Sequence, residues 1–466
     1  MERKYYKYLE NWLNNPLRKP LIIYGARQVG KTTLVRDLFA KDHFQKVIYI
    51  DFKIDNQERV YIKNHINPSD IINYLSVKNN MTIDKDTLII FDEVQECLPC
   101  LTSLKYFCQE YKDIPVIATG SMVRTKLGFM KRRNDQVVLD DEIEQINQDG
   151  NNNYMFHTGK VNVLNMTCLS FNEYLLNKNK ALYKLLESSY LNKKPLDNEI
   201  HQLAMTTFYE YLAIGGMPEV VDVFFKTNSF LKARDTLKEL YSRYLDDMSL
   251  FQVSNETLLR TKNVFNNIYK ELNKENKNFK FSLIEKDKKY RDYFYAIKWL
   301  EISRIIYKSR QLKQRVSTPL QEDEDSLFRL YFSDMGLFSL QSGIGLETFL
   351  SDLKDNTLSG IFFENYVAVE LENRNIPLFY WKGKTSSELE FLFEYKNEVV
   401  VIDVKKNKGS LDSLDKYREL NKKTLAIKVS ANKYGYDNEK MLLTLPFYYL
   451  GFYLDENISD IKTETI

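Results

Sequence analysis

The chain has 466 residues, of which 44% are hydrophobic and 14% aromatic, so it has enough apolar material for packed cores and is not a globally disordered protein. Its 66 Lys and Arg residues nearly balance its 64 Asp and Glu residues, and the formal net charge of +2 excludes a uniformly basic chain. Any attraction to nucleic acid must therefore come from local patches. At roughly 150 residues per domain, we expect about three domains.

The N-terminal segment, "MERKYYKYLENWLNNPL", lacks the continuous apolar core of a signal peptide. No other stretch approaches the roughly 18 apolar residues of a membrane span, so we predict a cytoplasmic protein with no membrane partner. Cys97 and Cys100 form a CxxC pair, but no second pair or histidine pair completes a zinc site. The sequence therefore favours reduced, structural thiols.

Short apolar runs alternate with polar amphipathic stretches in the first third of the chain. The runs are "PLIIYG", "KVIYIDF", "TLIIFDE" and "IPVIATGS". Continuous apolar strands separated by helical stretches are typical of a parallel sheet that is covered on both faces. We therefore predict an α/β domain, followed by a long polar surface loop that starts at "FMKRRND".

A phosphate-binding pattern follows the first of these strands. "GARQVGKTTL" matches G-x-x-x-x-G-K-[ST], and an amphipathic helix follows it. In this arrangement backbone N–H groups surround the phosphates, Lys31 reaches the β and γ phosphates, and the Thr32 hydroxyl ligates Mg²⁺. We predict that ATP and Mg²⁺ are bound. The predicted binding residues are Gly25, Ala26, Arg27, Gln28, Val29, Gly30, Lys31, Thr32 and Thr33.

Two acids end the third apolar run, at the edge of the sheet where ligands of open α/β sheets bind. Asp92 is suited to hold Mg²⁺, and Glu93 to orient and deprotonate an attacking water, which favours a hydrolase over a small-molecule kinase. The next strand brings Thr119 and Ser121 to the same edge, and either hydroxyl is a candidate sensor of the γ-phosphate. We include Ser121 with Lys31 and Glu93 as predicted catalytic residues.

The sequence does not identify an arginine finger. Basic residues near these motifs are Arg27, Arg124, Arg132, Arg133 and Lys160. If a neighbouring subunit supplies the finger, activity depends on a homo-oligomer.

The middle of the chain is predicted to be helical. The helical pattern runs from "LSFNEYLL" to about residue 250, and "GGMPEVV" interrupts it at Gly215, Gly216 and Pro218. Residues 257–312 suggest two helices, a polar turn, a third helix and the short strand "RIIYKS", a pattern that suits a winged helix. Its third helix and wing either contact DNA or pack between domains.

The segment "ELEFLFEYKNEVVVIDVKK" predicts a hairpin that carries two acids and a lysine. Glu390 lies opposite its apolar neighbours on one strand, and Asp403 and Lys405 share a face of the other. Carboxylate oxygens suit Mg²⁺ or Mn²⁺, and Lys405 would stabilise a transition state or position a water. The upstream helix "FFENYVAVEL" adds Glu364 as a further acid. The alternative is a set of charges that face water on an ordinary hairpin.

Together these motifs resemble a family of prokaryotic predicted AAA-type P-loop ATPases, whose conserved C-terminal domain of unknown function is similar to PD-(D/E)XK nucleases. In chain order the resemblance rests on "GARQVGKTTL", "LIIFDEVQ", "ATGSM", "HTGKVNVLNMTCLSFNEYL", "GGMPEVV", "KWLEISRIIYK", "FRLYFSDMGL", "FFENYVAVEL" and "ELEFLFEYKNEVVVIDVKK". It implies an α/β P-loop NTPase core of AAA/ASCE type in residues 1–170, a helical and winged-helix region in residues 171–340, and a nuclease-like α/β domain in residues 341–466.

The resemblance implies nuclease roles for Glu364, Glu390, Asp403 and Lys405, with Glu390 and Asp403 as metal ligands. The chain departs from the family pattern at Ala26, where proline is usual, and in the types of both hairpin acids. Two functions stay open. One is an ATPase whose nucleotide cycle controls a C-terminal nuclease or DNA-binding domain, with DNA or RNA as partner. The other is an ATP-driven switch whose C-terminal domain only binds a partner.

Overall fold

The computed structural model describes residues 1–121, 159–250, 254–323, 327–345, 359–384, 387–406 and 410–458. Nearly all of the predicted polar loop lies outside these residues, as do Arg124, Arg132 and Arg133. The chain divides into two compact units, Arg3–Thr167 and Cys168–Ile461, and each is described by itself. Within the described parts of the chain, no helix is both long and apolar enough to cross a membrane.

The first unit is built on a five-stranded sheet in the order β2-β3-β4-β1-β5, in which all the pairings are parallel. Strands β1 to β5 are Leu21–Gly25, Lys46–Asp51, Thr87–Asp92, Val116–Gly120 and Asn162–Met166. Helices α1 to α5 are Lys4–Asn14, Ala40–His43, Asn56–Asn64, Pro68–Asn79 and Leu98–Glu110, and the π-helical segment Thr33–Phe39 leads directly into α2. The predicted α/β P-loop NTPase fold is confirmed.

Burial explains why the apolar runs predicted this sheet. β1, β3 and β4 are buried along their whole length, as strands covered on both faces are. The fifth strand, β5, was not predicted, because "NVLNM" is short and contains two asparagines. It is a strand because it pairs along β1, with Leu21 opposite Asn162 and Gly25 opposite Met166.

The strand order places three motifs side by side. β4 lies between β1 and β3, with Tyr24 opposite Gly120 and Phe91 opposite Ala118. Because parallel strands end at the same edge, the C-terminal ends of β1, β4 and β3 are neighbours there. Ligands of open α/β sheets bind at this edge.

The second unit begins with the predicted helical stretch. Helices α6 to α12 are Phe171–Lys178, Lys180–Leu191, Asn198–Ile214, Pro218–Thr227, Phe230–Leu250, Asn255–Leu272 and Tyr290–Ile302. The break at "GGMP" is confirmed, and it requires glycine: Gly215 has a φ of +82°. A Cβ on Gly216 would lie 2.0 Å from the Leu169 carbonyl oxygen.

The winged-helix interpretation of residues 257–312 differs from the structure in two respects. One helix, α11, stands where two were predicted, because the segment after it runs beside a strand, where the Phe279 N–H donates to the Phe328 carbonyl oxygen at 3.0 Å. The strand assigned to a wing, Ile306–Gln311, pairs on both sides within a larger sheet. The apolar residues of "RIIYKS" are buried by that sheet.

This larger sheet has eight strands in the order β12-β13-β11-β10-β9-β8-β6-β7. Strands β6 to β13 are Ile306–Gln311, Phe328–Phe332, Phe379–Lys382, Glu388–Tyr395, Glu398–Val404, Ala426–Ser430, Gly435–Asp437 and Leu442–Pro446. The remaining helices, α13 to α16, are Met335–Ser342, Ser359–Glu372, Asp412–Leu420 and Leu450–Ile458. The predicted boundary between residues 340 and 341 stays a prediction, and β6 and β7 share one sheet with the strands that follow it.

The predicted hairpin is β9 and β10, joined at Lys396 and Asn397. Both residues have positive φ, +50° and +63°, and Tyr395 pairs with Glu398 across the turn. Two left-handed residues in a two-residue loop match the right-handed twist of the strands they join. The turn therefore sets the register of the two strands.

Candidate functional site

The phosphate-binding loop is held by close backbone contacts. Gly25 ends β1 beside β5, and a Cβ there would lie 2.2 Å from the Met166 carbonyl oxygen, so only glycine fits. Within the loop, Gln28 and Gly30 have φ values of +65° and +90°. The loop also accepts a hydrogen bond from buried Arg3, whose Nη1 donates to the Val29 carbonyl oxygen at 3.2 Å.

The Lys31 side chain is buried at the mouth of this loop. Its Nζ donates to the carbonyl oxygens of Gly25 at 3.0 Å and Ala26 at 2.8 Å. Thr32 is half-buried and Thr33 exposed at the start of the helical segment. The ammonium therefore lies where the loop backbone and the helix N-terminus meet, which is where a phosphate would bind.

Asp92 is the centre of a hydrogen-bond network at the adjacent strand end. Its Oδ2 accepts from the Thr32 hydroxyl at 2.7 Å and from the Tyr49 hydroxyl at 2.8 Å, and its Oδ1 accepts from the Thr119 hydroxyl and the Glu93 N–H. Burial and the bond to Asp92 raise the pKa of Tyr49 above its ordinary value, so it stays a donor. The network fixes a carboxylate beside a hydroxyl, two oxygen groups that suit Mg²⁺.

Glu93 is half-buried next to Asp92, with a φ of +55°. The Gln95 amide nitrogen donates to its carboxylate, and the Gln95 amide oxygen accepts from the Ser121 N–H at 3.0 Å. The Ser121 hydroxyl is buried and has no hydrogen-bond partner in the described ranges. Since the Thr119 hydroxyl is bonded to Asp92, Ser121 is the better placed of the two candidate sensors.

In the second unit, Glu390 and Asp403 are buried on neighbouring strands. Ile402 pairs with Phe391, so Asp403 and Glu390 are the next residues along β10 and β9. The side chains are not exposed charges, since Glu390 is 8% and Asp403 1% accessible. Glu390 Oε2 accepts from the Val404 N–H at 3.0 Å. The alternative of charges that face water on a hairpin is therefore wrong.

Asp403 is under-satisfied for a buried carboxylate. Lys405 Nζ lies 2.8 Å from its Oδ1 as an ion pair, but neither oxygen accepts a hydrogen bond of good geometry from a described residue. Burial, and after it the charge of Asp403, raises the pKa of Glu390 to about 8. The closeness of two buried carboxyls thus favours the protonated form of Glu390. A divalent cation would satisfy both groups.

Glu364 differs from these two acids, because cations already neutralise it. Its carboxylate accepts from Lys277, from Arg329 Nη1 at 3.2 Å and from the Tyr331 hydroxyl at 2.5 Å. Burial acts to raise its pKa, but Lys277 and Arg329 outweigh burial and hold it below the ordinary value. Across the described segments, no three Asp, Glu, His or Cys side chains come together as a metal site. The structure thus brings Glu390, Asp403 and Lys405 together and gives Glu364 other partners.

A comparison with known protein families identifies the part of the chain that contains the phosphate-binding loop. Residues 17–175 match the family model described as AAA domain. This segment is an AAA domain. Residues 205–348 and 359–448 match two further models, each described as a domain of unknown function, DUF8612 and DUF4143. No curated protein matches the sequence.

Solved structures with similarity to the chain include the Walker-type ATPase PABY2304 of Pyrococcus abyssi, with 14% identity over 73% of this chain and 95% of that chain, and a TM-score of 0.42. A second is the STAND protein PH0952 of Pyrococcus horikoshii, which has a tetratricopeptide repeat sensor, with 14% identity, 80% and 45% coverage, and a TM-score of 0.26. A third is the replication initiator DnaA bound to AMPPCP and single-stranded DNA, with 15% identity, 63% and 85% coverage, and a TM-score of 0.26.

The structure also locates the remaining described residues that the sequence singled out. Arg27, a finger candidate in the AAA domain, is half-buried, and Lys160 is exposed. The four cysteines all lie in the described residues, where they are buried and form no disulfide bond. Arg3 and Gln95 of the first unit were assigned no role from the sequence, although Gln95 ends the motif "LIIFDEVQ". Arg329 was not singled out either, although it is a lone charge within the apolar strand "FRLYF".

Proposed function

We propose that the AAA domain binds ATP with Mg²⁺ and hydrolyses it. One observation carries the proposal: the Thr32 hydroxyl lies 2.7 Å from the Asp92 carboxylate, with Glu93 as the next residue along the chain. A phosphate-loop hydroxyl and a strand-end carboxylate are the pair that holds Mg²⁺ in P-loop hydrolases. The buried Ser121 hydroxyl, which has no partner in the described ranges, fits the same interpretation.

Different residues bind the nucleotide and carry out its hydrolysis. Lys31 exchanges its bonds to the loop carbonyls for phosphate oxygens, and Thr32 and Asp92 hold the metal side of the nucleotide. Mg²⁺, when bound, neutralises charge on the β and γ phosphates. Glu93 orients a water for attack on the γ-phosphorus and accepts its proton, so ADP and phosphate leave.

The requirement for Mg²⁺ tests this assignment. Thr32→Val removes the hydroxyl and keeps the shape of the side chain, and we expect half-maximal turnover to need about 10- to 100-fold more Mg²⁺. Thr32→Ser keeps the hydroxyl and is the matched control, which should remain near the wild type. The measurement is phosphate release from ATP against free Mg²⁺. An unchanged Mg²⁺ requirement in Thr32→Val would contradict the assignment.

We further propose that the second unit cleaves phosphodiester bonds of DNA or RNA at Glu390, Asp403 and Lys405. The observation that favours it is the buried Asp403, whose two oxygens accept no hydrogen bond of good geometry from described residues. The two carboxylates fit a divalent cation, which supplies Lewis-acid chemistry when bound. Lys405 then stabilises negative charge on the phosphate. Glu364, held by two cations, serves as a structural group.

Metal binding, read separately from cleavage, tests the second proposal. Because Glu390 must lose a proton to bind a cation, we expect Mn²⁺ affinity to rise with pH up to about 8, by at most about tenfold per pH unit. Asp403→Ala should lose both Mn²⁺ binding and nicking of DNA. Glu390→Gln should bind weakly and without this pH dependence. Calorimetry gives the affinities, and nicking that persists in Asp403→Ala would contradict the proposal.

We propose that the nucleotide cycle of the AAA domain controls this second activity. The support is that both candidate sites lie in one chain. Cleavage is to be compared with ATP, with ADP and without nucleotide, and equal rates would contradict control.

If no nucleic acid is cut with Mg²⁺ or Mn²⁺ while ATP turnover persists, the chain is an ATP-driven switch whose second unit binds a partner. Turnover that rises more steeply than protein concentration would indicate an oligomer that supplies an arginine finger.

A further inference from the structure

One glutamine side chain connects the two candidate catalytic groups of the AAA domain. Gln95 donates from Nε2 to the Glu93 carboxylate and accepts at Oε1 from the Ser121 backbone N–H at 3.0 Å. Because a backbone N–H only donates, the amide oxygen must face Ser121 and the amide nitrogen must face Glu93. The amide therefore has one orientation in which both bonds form.

The surroundings of Gln95 are shaped to hold it in that orientation. The side chain is 2% accessible, and both ends of its amide are bonded. Gly120 leaves the space for it: a Cβ on residue 120 would lie 2.5 Å from Gln95 Oε1 and 3.0 Å from a methyl carbon of Val94. A buried amide with a hydrogen bond at each end, in a fitted space, is a rigid connector.

The connector joins Ser121, the residue that follows β4, to Glu93, the proposed general base. Ser121 presents a buried hydroxyl with no partner in the described ranges, and its backbone N–H is the group that Gln95 contacts. A γ-phosphate that binds the Ser121 hydroxyl contacts the same residue whose backbone N–H donates to the Gln95 amide oxygen. A movement of this residue would therefore be passed to the Glu93 carboxylate through a single side chain.

We infer that Gln95 is a positioning residue that couples the γ-phosphate contact at Ser121 to the orientation of Glu93. The inference rests on the proposed ATP hydrolysis and adds a regulatory link to it. Gln95 touches neither nucleotide nor water in this role, and it acts only through Glu93. Loss of Gln95 should therefore lower turnover and leave the affinity for ATP and ADP in place.

Two substitutions at residue 95 separate the two bonds. Gln95→Met keeps the length of the side chain and removes both hydrogen bonds, and we expect kcat to fall about 10- to 100-fold with KM within about threefold of the wild type. Gln95→Glu keeps an acceptor for the Ser121 N–H and places a like charge against Glu93. Its kcat should fall at least as far, because the bond that matters for catalysis is the one to Glu93.

A third substitution tests the same link from the strand. Gly120→Ala should lower kcat in the same way, because its Cβ displaces the Gln95 amide oxygen. In a Gln95→Ala background, which removes the closest contact of that Cβ and leaves only the one with Val94, Gly120→Ala should change kcat by less than about twofold. Equal losses in the two backgrounds would show that Gly120 acts independently of Gln95, and would overturn the inference.

The measurements are ATP turnover, equilibrium binding of ATP and ADP, and melting temperature. Glu93→Gln and the double variant Glu93→Gln with Gln95→Met should have the same kcat, because Gln95 acts through Glu93. A further loss of kcat in the double variant would overturn the inference. A folded Gln95→Met variant with wild-type kcat, or with a change only in melting temperature, would also overturn it.

If the wild type releases no phosphate from ATP, the proposed hydrolysis fails first. If Glu93→Gln is inactive and Gln95→Met is not, only the role of Gln95 fails.

Discussion

Glu93→Gln is expected to lower kcat for ATP by about 10²- to 10⁴-fold while ATP stays bound. The amide cannot take the proton that the attacking water loses, but it has the size of the carboxylate and can accept the bond from Gln95. The groups predicted to hold the nucleotide, including Lys31, Thr32 and Asp92, are untouched. The variant should therefore accumulate as an ATP complex, which equilibrium binding and phosphate release measure on the same sample.

The control for Glu93→Gln is Lys31→Ala, which removes the ammonium at the mouth of the phosphate-binding loop. We expect this variant to lose ATP binding as well as turnover, so that the two variants separate binding from chemistry. Wild-type turnover in Glu93→Gln would contradict the assignment of Glu93 as the base. Weak ATP binding in Glu93→Gln would indicate that Glu93 holds the nucleotide instead.

Arg329→Met is expected to destabilise the second unit by about 3–5 kcal/mol. Arg329 is fully buried, with Nη1 3.2 Å from Glu364 and Nη2 2.5 Å from Glu388, and its guanidinium lies 4.0 Å from the centroid of the Tyr380 ring. Methionine fills similar space, leaves the buried Glu364 with Lys277 as its remaining cation, and removes the nearer cation of the half-buried Glu388. The cost is that of buried negative charge that has lost part of its compensation, rather than of lost packing.

Tryptophan fluorescence reports this unit selectively. In a Trp12→Phe background the remaining tryptophans, Trp299 and Trp381, both lie in the second unit. Urea unfolding of this background with and without Arg329→Met measures the loss. Arg243→Met is the matched control, because Arg243 is half exposed and lies 3.8 Å from Glu219 and Glu239, where ion pairs contribute at most about 1 kcal/mol.

A second variant shows whether charge is the cause. Adding Glu364→Gln and Glu388→Gln to Arg329→Met removes the two carboxylates that lost Arg329 as a cation, and we expect part of the lost stability to return. If Arg329→Met costs no more than Arg243→Met, the cluster is better hydrated than its burial indicates. If the added substitutions only destabilise further, the side chains act through shape rather than through charge.

The sequence predicted four strands and the phosphate-binding loop of the first unit, because burial and function each produce short local patterns there. The strands around Ile22, Ile48, Ile90 and Ile117 are continuous apolar runs, and the phosphate-binding loop is a fixed spacing of a few residues. The strand β5 has no such pattern. It exists because β1 has a free edge beside it, and a pairing between residues 21 and 162 leaves no trace in a local window.

Side-chain partners were the least predictable part of both sites. Glu364 stood out in the sequence as an acid on an apolar helix, but its two cations come from positions 87 and 35 residues away. Gln95 lies two residues after Glu93, the proposed general base, yet only the fold places the end of β4 against it. The residue types predicted which side chains could act as ligands, acids or bases. Tertiary contacts decide which of these side chains are already bonded to other groups of the protein.

The pairing of β1 with β5 has a consequence for how the protein is made. Gly25 lies against the Met166 carbonyl, so the strand that leads into the phosphate-binding loop gains its second neighbour only after residue 166 has been synthesised. On a ribosome the nascent AAA domain therefore exposes one side of β1 while the intervening chain emerges. Non-local pairings of this kind slow folding, and a chain that stops short of β5 would leave β1 open to pairing with other molecules.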